Sequence, residues 1–242
     1  MINLTGQRLV REHIELDTVD STNRYALDTG RDGLLVTARE QTAGRGRQGR
    51  LWFSPRNDNI YMTITLTYPD PRLCLVSGVA VREALAGLLS EAMVVKIKWP
   101  NDILILDRKV CGILCQARGS IAAIGIGVNV NQTTWPDELR DTAISLKLAT
   151  GKTYRRNQVI QAAVHGLDKW FSIYHADGFE PVRKAFLEHS HCAGETARLE
   201  DGTPCVIRDL TPEGFLEVEA LGGRRIVVSG DVRLDCPGAR HG

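Results

Sequence analysis

Six short segments rich in valine, isoleucine and threonine follow one another between residues 34 and 130, and they constrain the fold more than any other feature of the sequence. Turn-forming residues separate them, as is typical of β-strands joined by short loops. The segments are residues 34–39, 60–68, 94–98, 103–106, 110–117 and 121–130. Residues 76–92 interrupt the series with apolar side chains three and four positions apart, which predicts a helix that packs on a sheet.

The second half of the chain changes its pattern twice. From residue 136 to about residue 188 the apolar residues recur with a helical period. After Ala193, short strand-like segments return, separated by glycine-containing turns such as Asp201-Gly202 and Gly222-Gly223. This alternation of short strands and turns is typical of a small β-barrel. We therefore predict an α+β domain over residues 1–190 and a small β domain over residues 191–242.

The balance of charges excludes a strong general attraction to nucleic acid or to an acidic membrane surface. The 242 residues include 30 basic and 29 acidic side chains, which gives a formal net charge of +1. No apolar run approaches the roughly 20 residues that cross a bilayer, and residues 1–6 lack the pattern of a secretory signal. We expect a cytoplasmic protein that does not bind membranes.

The six cysteines include no C-x-x-C pair, so they are weak evidence for disulfides and predict no zinc site. Cys111 and Cys115 are too far apart along one strand to share a bridge, and we interpret them as small buried apolar residues. His189, His191 and Cys192 resemble part of a metal site. Because no second pair matches them, we interpret this cluster as a solvated turn.

Residues 44–50 read Gly-Arg-Gly-Arg-Gln-Gly-Arg. Guanidinium groups on so pliable a loop gain most when they close over a phosphate or a carboxylate. A lid that orders over an anion is one interpretation, and a solvated hairpin is another. An RNA-binding segment is a weaker third, because such segments act through many copies and neighbouring aromatic residues. Trp52 follows the loop and either stacks on a ligand or packs in the core, whereas we expect Phe53 in the core.

Lysines concentrate around a turn near the middle of the chain. Residues 98–102, Lys-Trp-Pro-Asn-Asp, end one predicted strand and hold polar side chains there. Lys109 then opens the next strand, and strict alternation places it on the same face as Cys111 and Ile113. A lysine at the head of an apolar face needs an anionic partner, unless its side chain extends to water at the sheet edge.

Two smaller motifs carry polar or small residues. The triplet Ser21-Thr22-Asn23 precedes a helical segment, so it is a candidate helix N-cap that can also donate hydrogen bonds to a small polar ligand. Residues 125–131 bring glycines into a strand, where glycine often marks the close approach of a ligand or of another backbone. No glycine-rich helix start follows, which argues against a dinucleotide-binding fold.

Taken in order, these motifs resemble those of the biotin-protein ligase family, from about residue 20 to residue 235. The matching segments are residues 21–23, Gln41 with residues 44–50, residues 98–102, Lys109 with residues 112–114, and residues 125–129. The resemblance implies an α+β fold with a mixed central sheet and helices packed on one face, the class II synthetase-like catalytic fold of biotin ligases. It also implies a small SH3-like C-terminal β-barrel.

The same resemblance implies a two-step ligase reaction. Biotin and MgATP form biotinyl-5′-AMP and pyrophosphate, and the biotinyl group then passes to a specific lysine of a biotin carboxyl carrier domain in a biotin-dependent carboxylase. Biotin, ATP and Mg²⁺ are therefore the expected small molecules. Some members of the family carry an N-terminal helix-turn-helix module and repress transcription. Because only 19 residues precede Asp20, we expect no DNA binding.

The resemblance also assigns roles to individual residues. Biotin binding is assigned to Ser21, Thr22, Asn23, Gln41, Gly44, Arg45, Lys109, Gly112 and Gly125. Nucleotide binding is assigned to Arg47, Trp52, Lys98, Asn101 and Asn129. The catalytic residues are Lys109, Arg45, Arg47 and Asp102. The three cations offset the repulsion between the biotin carboxylate and the α-phosphate, and Asp102 positions the acceptor lysine or binds Mg²⁺.

Two other functions stay open at this point. A lipoate-protein ligase or octanoyltransferase shares the catalytic fold, although residues 44–50 together with residues 98–102 fit the biotin branch better. A non-catalytic RNA-binding module built on the arginine loop is the other, and the apolar setting of Lys109 argues against it. A homodimer paired through strand edges is compatible with the β-rich sequence.

Overall fold

The computed structural model describes residues 6–230 and 232–234, which form two β-sheets and five α-helices. The strands of the larger sheet are β1 (Glu12–Val19), β2 (Leu34–Gln41), β3 (Ile60–Thr67), β4 (Val95–Lys98), β5 (Asp102–Ile105), β6 (Arg108–Arg118) and β7 (Ile121–Val128). The helices are α1 (Thr22–Thr29), α2 (Leu73–Leu88), α3 (Leu146–Thr150), α4 (Arg156–Asp177) and α5 (Glu180–Glu188). The smaller sheet contains β8 (Thr196–Leu199), β9 (Pro204–Leu210), β10 (Leu216–Ala220), β11 (Gly223–Val227) and β12 (Val232–Leu234).

The larger sheet has seven strands in the order β1-β2-β3-β7-β6-β5-β4, and it is mixed because β1 and β2 are parallel while the other pairs are antiparallel. Its two faces differ in chemistry. Met62 and Ile126 lie on the face that packs with α2 and α4 in the main core. Thr63 and Gly125, paired across β3 and β7, lie on the other face, next to α1.

The predicted strands all form, and the mixed α+β sheet is confirmed. Helix α2 occupies most of the segment predicted as helical but ends at Leu88, and residues 90–93 form a turn. The prediction of helices on one face applies to α2 and α4, whereas α1 packs on the opposite face, with Ala26 against Leu34 and Val36 of β2. Strand β1 was not predicted, because half of its eight residues are charged or His and it lies at an edge of the sheet.

The smaller sheet has five strands in the order β11-β10-β9-β8-β12 and belongs to the same hydrophobic core as the larger sheet. Side chains of β9 and β10, such as Ile207 and Val218, are buried in that core. The indole of Trp99 donates a hydrogen bond to Gly214 O at 3.4 Å, and Arg183 of α5 pairs with Asp209 of β9. The predicted boundary near residue 190 therefore lies between two sheets that share one hydrophobic core.

None of the helices that the structure describes is both long enough and apolar enough to cross a bilayer.

Candidate active site

A cavity of about 690 Å³ lies on the α1 side of the larger sheet, within the range of small-molecule sites. Its walls bring together every residue assigned to the site from the sequence except Gly44. These are Ser21, Thr22, Asn23, Gln41, Arg45, Arg47, Trp52, Lys98, Asn101, Asp102, Lys109, Gly112, Gly125 and Asn129. The strand ends and loops that carry these residues thus converge on one space, and Arg45, Arg47 and Lys109 share it.

One end of the cavity is built around the start of α1. Ser21 caps the helix, because its Oγ accepts from the backbone N–H of Arg24 at 3.5 Å. The backbone and hydroxyl of Thr22 both donate to Gln41 Oε1, at 2.9 and 3.1 Å, and Gln41 Nε2 donates to Ser54 Oγ at 3.1 Å. These bonds fix a cluster of amide and hydroxyl groups, which suits a ligand with a polar head group.

Asn23 occupies the space that we expected a ligand to share with Gly125. Its Nδ2 donates to Leu114 O at 3.1 Å, and its Oδ1 accepts from Thr63 Oγ1 at 2.7 Å. A methyl group at Gly125 would lie 2.1 Å from Asn23 Oδ1. Gly125 therefore admits a side chain of the protein, and this pair positions α1 on the sheet.

Gly44 lies beside the cavity rather than in its wall. A methyl group there would lie 2.7 Å from Ser54 Oγ and 2.8 Å from Trp52 O. Gly44 is therefore required for the close packing of the loop against the Gln41 cluster, and Ser54 is a supporting residue that the sequence did not reveal.

The glycine-arginine segment forms an ordered hairpin. Trp52 N donates to Gly44 O at 2.9 Å, and Gly46 N donates to Arg50 O at 2.8 Å. Arg47, near its tip, donates to Asn101 Oδ1 at 3.3 Å and to Gly230 O at 3.4 Å. The hairpin interpretation is correct for the backbone, and the arginine side chain ties this hairpin to the turn between β4 and β5 and to the segment after β11.

The indole of Trp52 lies on a floor of glycine. Methyl groups at Gly112 and Gly127 would lie 2.8 and 2.4 Å from its ring atoms. Lys109 Nζ is 5.3 Å from the ring centroid. Trp52 was expected either to stack on a ligand or to pack in the core, and the structure places its indole in the cavity wall. Phe53 is 42% exposed at the rim, so its assignment to the core was wrong.

Lys109 faces the cavity because β6 contains a β-bulge. Leu104 pairs with Lys109 while Ile103 pairs with Cys111, so Val110 is an additional residue that reverses the alternation. Lys109 therefore shares a face with Gly112, whereas Val110 and Cys111 are buried in the core. The expectation that Lys109 shares a face with Cys111 and Ile113 was wrong for this reason.

The anionic partner that the sequence required for Lys109 is Asp102. Lys109 Nζ lies 2.7 Å from Asp102 Oδ1, an ion pair whose approach angle departs from hydrogen-bond geometry. The backbone of Lys109 is held by residues 142–144, since its N–H donates to Thr142 O at 2.8 Å and its carbonyl accepts from Ile144 N at 3.0 Å. The Lys109 ammonium group is thus held beside the Trp52 indole and beside Asp102 at the turn between β4 and β5.

The turn residues and Asn129 complete the wall. Asn101 Nδ2 donates to Ile113 O at 3.0 Å while its Oδ1 accepts from Arg47. Asn129 is 2% exposed and donates to Lys109 O and Ile144 O, both at 3.2 Å. Both asparagines therefore support cationic residues through hydrogen bonds, as well as lining the cavity.

Three buried nitrogen atoms in the cavity wall have no hydrogen-bond partner among the described residues. They are Trp52 Nε1, Trp135 Nε1 and His191 Nδ1. Buried polar atoms rarely stay unpaired, so the two indole N–H groups are available to a polar ligand, whereas His191 Nδ1 lies 3.5 Å from Asp107 Oδ1. Trp135 and His191 were missed by the sequence reasoning, because neither belongs to a recognisable motif.

His191 and Cys192 are buried, so the interpretation of their segment as a solvated turn was wrong. The side chain of His191 is 9% exposed, and Cys192 is 3% exposed. Residues 189–191 pair with the outer edge of β4, where His191 N donates to Ile97 O at 2.8 Å. Burial lowers the pKa of His191, with Lys96 and Lys98 acting in the same direction and Asp107 against it.

The donor set does not form a metal site on its own. Among the described residues, no group of three His, Cys, Asp or Glu side chains could hold a metal ion. Asp102 is paired with Lys109. The arrangement therefore favours positioning over metal binding for Asp102.

The fold and the cavity together define a class of protein: a mixed-sheet α+β fold with a cavity lined by Arg45, Arg47 and Lys109 over one face, and a second, smaller β-sheet packed at its end. The chain belongs to the Biotin/lipoate A/B protein ligase family, whose sequence model matches residues 16–132.

Relatives match nearly the whole chain. The chain is 35% identical over 248 residues to the bifunctional ligase/repressor BirA of Bacillus spizizenii, a match that covers 95% of this chain and 74% of the relative. It is 31% identical to the biotin--[acetyl-CoA-carboxylase] ligase of Paracoccus denitrificans, over 90% of this chain and 98% of the relative. The family predicted from the motifs is confirmed.

Solved structures give the same result for the fold. The biotin protein ligase of Aquifex aeolicus in complex with biotin and ATP superposes with a TM-score of 0.84 at 28% identity, over 93% of this chain and 98% of that chain. The Leishmania major biotin protein ligase in complex with biotinyl-5-AMP gives a TM-score of 0.64 at 25% identity, over 90% and 99%. The predicted catalytic fold and C-terminal sheet are confirmed.

Proposed function

We propose that this protein is a biotin-protein ligase. It activates biotin with ATP to form biotinyl-5′-AMP and pyrophosphate, and it transfers the biotinyl group to one lysine of a biotin carboxyl carrier domain. The observation that carries the proposal is a single cavity with a neutral polar cluster at one end and Lys109, Arg47 and unpaired indole N–H groups along the rest. This order of groups matches a ligand with a polar head, an anionic middle and an aromatic base.

Biotin would lie at the end formed by the start of α1. The ureido ring of biotin offers two N–H donors and a carbonyl acceptor, and Ser21, Thr22 and Gln41 in the cavity wall offer matching hydroxyl and amide groups. Because Asn23 and Gln41 are already held by hydrogen bonds, the pocket is preorganised and binding costs little reordering.

The first step requires the biotin carboxylate to approach the α-phosphate of ATP. Two like charges about 4 Å apart repel by about 4 kcal/mol at an effective dielectric constant near 20. Lys109 would lie beside both oxyanions, because the bulge aims its ammonium group into the cavity and Asp102 holds it there. Arg45 and Arg47 would add charge from the hairpin. ATP would enter as its Mg²⁺ complex, in which the metal neutralises the phosphates.

The nucleotide would extend over the Trp52 indole, which itself lies on Gly112 and Gly127. The indole of Trp52 offers a stacking surface for the adenine, and the indole N–H of Trp52 or Trp135 can donate to the ligand. Lys98 and Asn101, at the turn between β4 and β5, would lie near the phosphates. The proposal gives Asn129 a supporting role, since both of its donor bonds go to backbone carbonyls.

Water must be kept from the adenylate, because a mixed anhydride hydrolyses readily. The hairpin at residues 44–52 would cover the intermediate, and the bonds of Arg47 to Asn101 and Gly230 would hold it in place. In the second step Asp102 would orient the acceptor lysine. A carboxylate with a pKa near 3.9 is a weak base for an amine with a pKa near 10.4, so orientation is the larger contribution.

The protein partner in this proposal is the carrier domain of a biotin-dependent carboxylase, and the cytoplasm, where ATP is available, is the proposed location. A homodimer stays a prediction. Strand β4 is covered on its outer edge by residues 189–191, so among the described residues β1 is the edge of the larger sheet with no further strand paired to it. We propose no DNA partner, since the 30 basic and 29 acidic side chains of the sequence balance.

The decisive test is detection of the intermediate. Incubation with biotin and MgATP should yield biotinyl-5′-AMP by mass spectrometry, and pyrophosphate exchange should depend on biotin. Lipoate in place of biotin tests the alternative within the same family. Exchange that responds to lipoate and not to biotin would contradict the proposal. ATP-independent RNA binding that weakens steeply with salt would support the binding-module alternative.

A further inference from the structure

Two cysteine thiols that take no part in the proposed chemistry lie together behind the cavity wall. Cys74 is in the first turn of α2, and Cys115 is on the core-facing side of β6, against which α2 packs. The two side chains adjoin where α2 packs on β6, and the neighbouring Cys74 thiol contributes to a raised pKa of Cys115. The two cysteines are far apart in the sequence, so the pair exists only in the fold.

A second cavity gives both thiols access to small molecules. It has a volume of about 380 Å³, and Cys74 and Cys115 both line it. Both side chains are partly exposed, whereas Cys111, Cys192 and Cys205 are buried. A reagent in solution therefore reaches this pair before it reaches the other described cysteines.

We propose that Cys74 and Cys115 form a reversible disulfide that controls the wall between the two cavities. The oxidant is a hydroperoxide. The first thiolate attacks the peroxide oxygen, which breaks the O–O bond and leaves a sulfenic acid and an alcohol or water. The second thiol attacks that sulfur, forms the S–S bond and releases water. The two sulfurs together lose two electrons to the peroxide, and both thiol protons leave in the products.

The order of attack follows from the surroundings of the two thiols. The hydrogen bond with Cys74 and burial raise the pKa of Cys115 well above its usual value, so this thiol stays protonated and attacks second. Cys74, in the first turn of α2, lines the same cavity and is therefore the first nucleophile.

Bridging the pair changes contacts that reach the site. The Cys74 thiol donates to Pro100 O at 3.5 Å, beside Asn101, and oxidation removes this donor. Leu114, next to Cys115, lines both cavities, and its carbonyl accepts the bond from Asn23 at 3.1 Å. A bridge that draws β6 toward α2 therefore shifts the biotin end of the cavity. This consequence for binding rests on the proposed function.

The first experiment maps the disulfide and does not depend on any activity. The full-length protein is treated with hydrogen peroxide, blocked with N-ethylmaleimide and digested with trypsin without reduction. Mass spectrometry should find the peptide of residues 73–82 linked to that of residues 110–118. Because the second peptide also contains Cys111, the map is repeated in Cys111→Ser. Separate alkylation of Cys74 and Cys115 after oxidation would overturn the proposal.

The second experiment measures the consequence. Biotin-dependent pyrophosphate exchange is compared before oxidation, after oxidation and after treatment with dithiothreitol. The KM for biotin should rise several-fold on oxidation in the wild type and in the matched control Cys205→Ser, stay unchanged in Cys74→Ser, and recover on reduction. An unchanged KM for biotin in protein whose Cys74–Cys115 disulfide is complete would overturn the proposal that the disulfide controls the wall between the two cavities. Loss of exchange already in the reduced protein would count against the ligase function and leave the mapped disulfide intact.

Discussion

The direction of the Lys109 side chain depends on the β-bulge in β6. Without the bulge at Val110, alternation would turn Lys109 toward the core beside Ile113. With it, the charge faces Asp102, 2.7 Å away, and the indole of Trp52. A strongly hydrated cation is thereby held against an aromatic ring and a carboxylate in a partly closed space, where its charge acts on a bound anion more strongly than in water.

Replacement of Lys109 tests this arrangement. Lys109→Ala should lower the rate of biotin-dependent pyrophosphate exchange by about a hundredfold to a thousandfold, since removal of one stabilising group at developing charge has effects of this size. The control is Lys96→Ala, whose ammonium group lies 3.7 Å from Asp107 at the sheet edge. Wild-type exchange in Lys109→Ala, measured with labelled pyrophosphate, would refute the role of Lys109.

The glycine floor can be tested in the same way. In Gly127→Ala the new methyl group would lie 2.4 Å from the Trp52 ring, so the indole must move and the KM for ATP should rise. Gly87→Ala in α2 is the matched control, because nothing lies within 4 Å of the new methyl group there and alanine favours helix. Equal KM values in both variants would show that the indole does not contact the nucleotide.

Most of the residues in the wall could be predicted because they lie in short motifs of turn-forming and polar residues. The direction of Lys109 could not, because a bulge follows from the pairing of two strands and leaves no mark in the sequence of one. The same limit applies to Gly125. Its neighbour Asn23 comes from a helix about a hundred residues earlier in the chain, so the sequence shows only that a strand contains glycine.

At the scale of elements, the tip of the hairpin, residues 45–51, is held to the rest of the molecule by few contacts. Its backbone closes through a few hydrogen bonds, and its link to the rest of the molecule includes two bonds from Arg47 that are longer than 3.2 Å. Leu51 in the same hairpin is 80% exposed. Few buried contacts mean a low free energy of local opening, which suits a cover that must admit substrates.

Loss of the Arg47 contacts should let the hairpin open while the adenylate is still formed. In Arg47→Gly we expect biotinyl-5′-AMP to escape, because the hairpin loses its bonds to Asn101 and Gly230. The released adenylate should label lysines on an added bystander protein, read out by streptavidin blotting. Arg50→Ala, an exposed position of the same hairpin, serves as the control. Labelling confined to the carrier domain in Arg47→Gly would contradict a covering role.

Helices and strands with a strong apolar periodicity could be predicted from the sequence, whereas segments that pair along an edge of the sheet could not. Strand β1 and the segment at residues 189–191 both pair along an edge of the larger sheet, and their pairing is set by neighbours rather than by their own pattern. The pairing of residues 189–191 is what buries His191 in the cavity wall. A site residue on such a segment has no sequence signal of its own.

At the scale of the molecule, one core runs through both sheets, so the chain should unfold as one unit. Ile207 of β9 is 2% exposed, and Ile207→Ala should cost about 2–5 kcal/mol of unfolding free energy. Ile226→Ala, at a position 60% exposed in the same sheet, should change little. Calorimetry should show one transition that shifts as a whole. Two transitions, of which only one moves, would mean that the sheets fold independently.

Acid should weaken the fold through its partly buried histidines. Burial lowers the pKa of His191, His189 and His13 in the folded state below the value of about 6.5 expected when unfolded. Their neutral forms thus contribute stability that is fully present above pH 6.5 and is lost as the pH falls through the folded pKa. The Tm should drop between pH 7 and pH 5, and His191→Gln should flatten that drop relative to the exposed control His165→Gln. An identical slope in both variants would contradict the assignment.

The extra residue in β6 also predicts which length changes this strand tolerates. Removing a single codon at position 110 would make Lys109 the direct neighbour of Cys111, so a regular pleat would place the lysine on the face opposite that buried thiol and leave its charged tip in the cavity. A homologue that is one residue shorter here would therefore keep a correctly directed lysine, and a gap at this point of an alignment does not by itself mark an inactive copy.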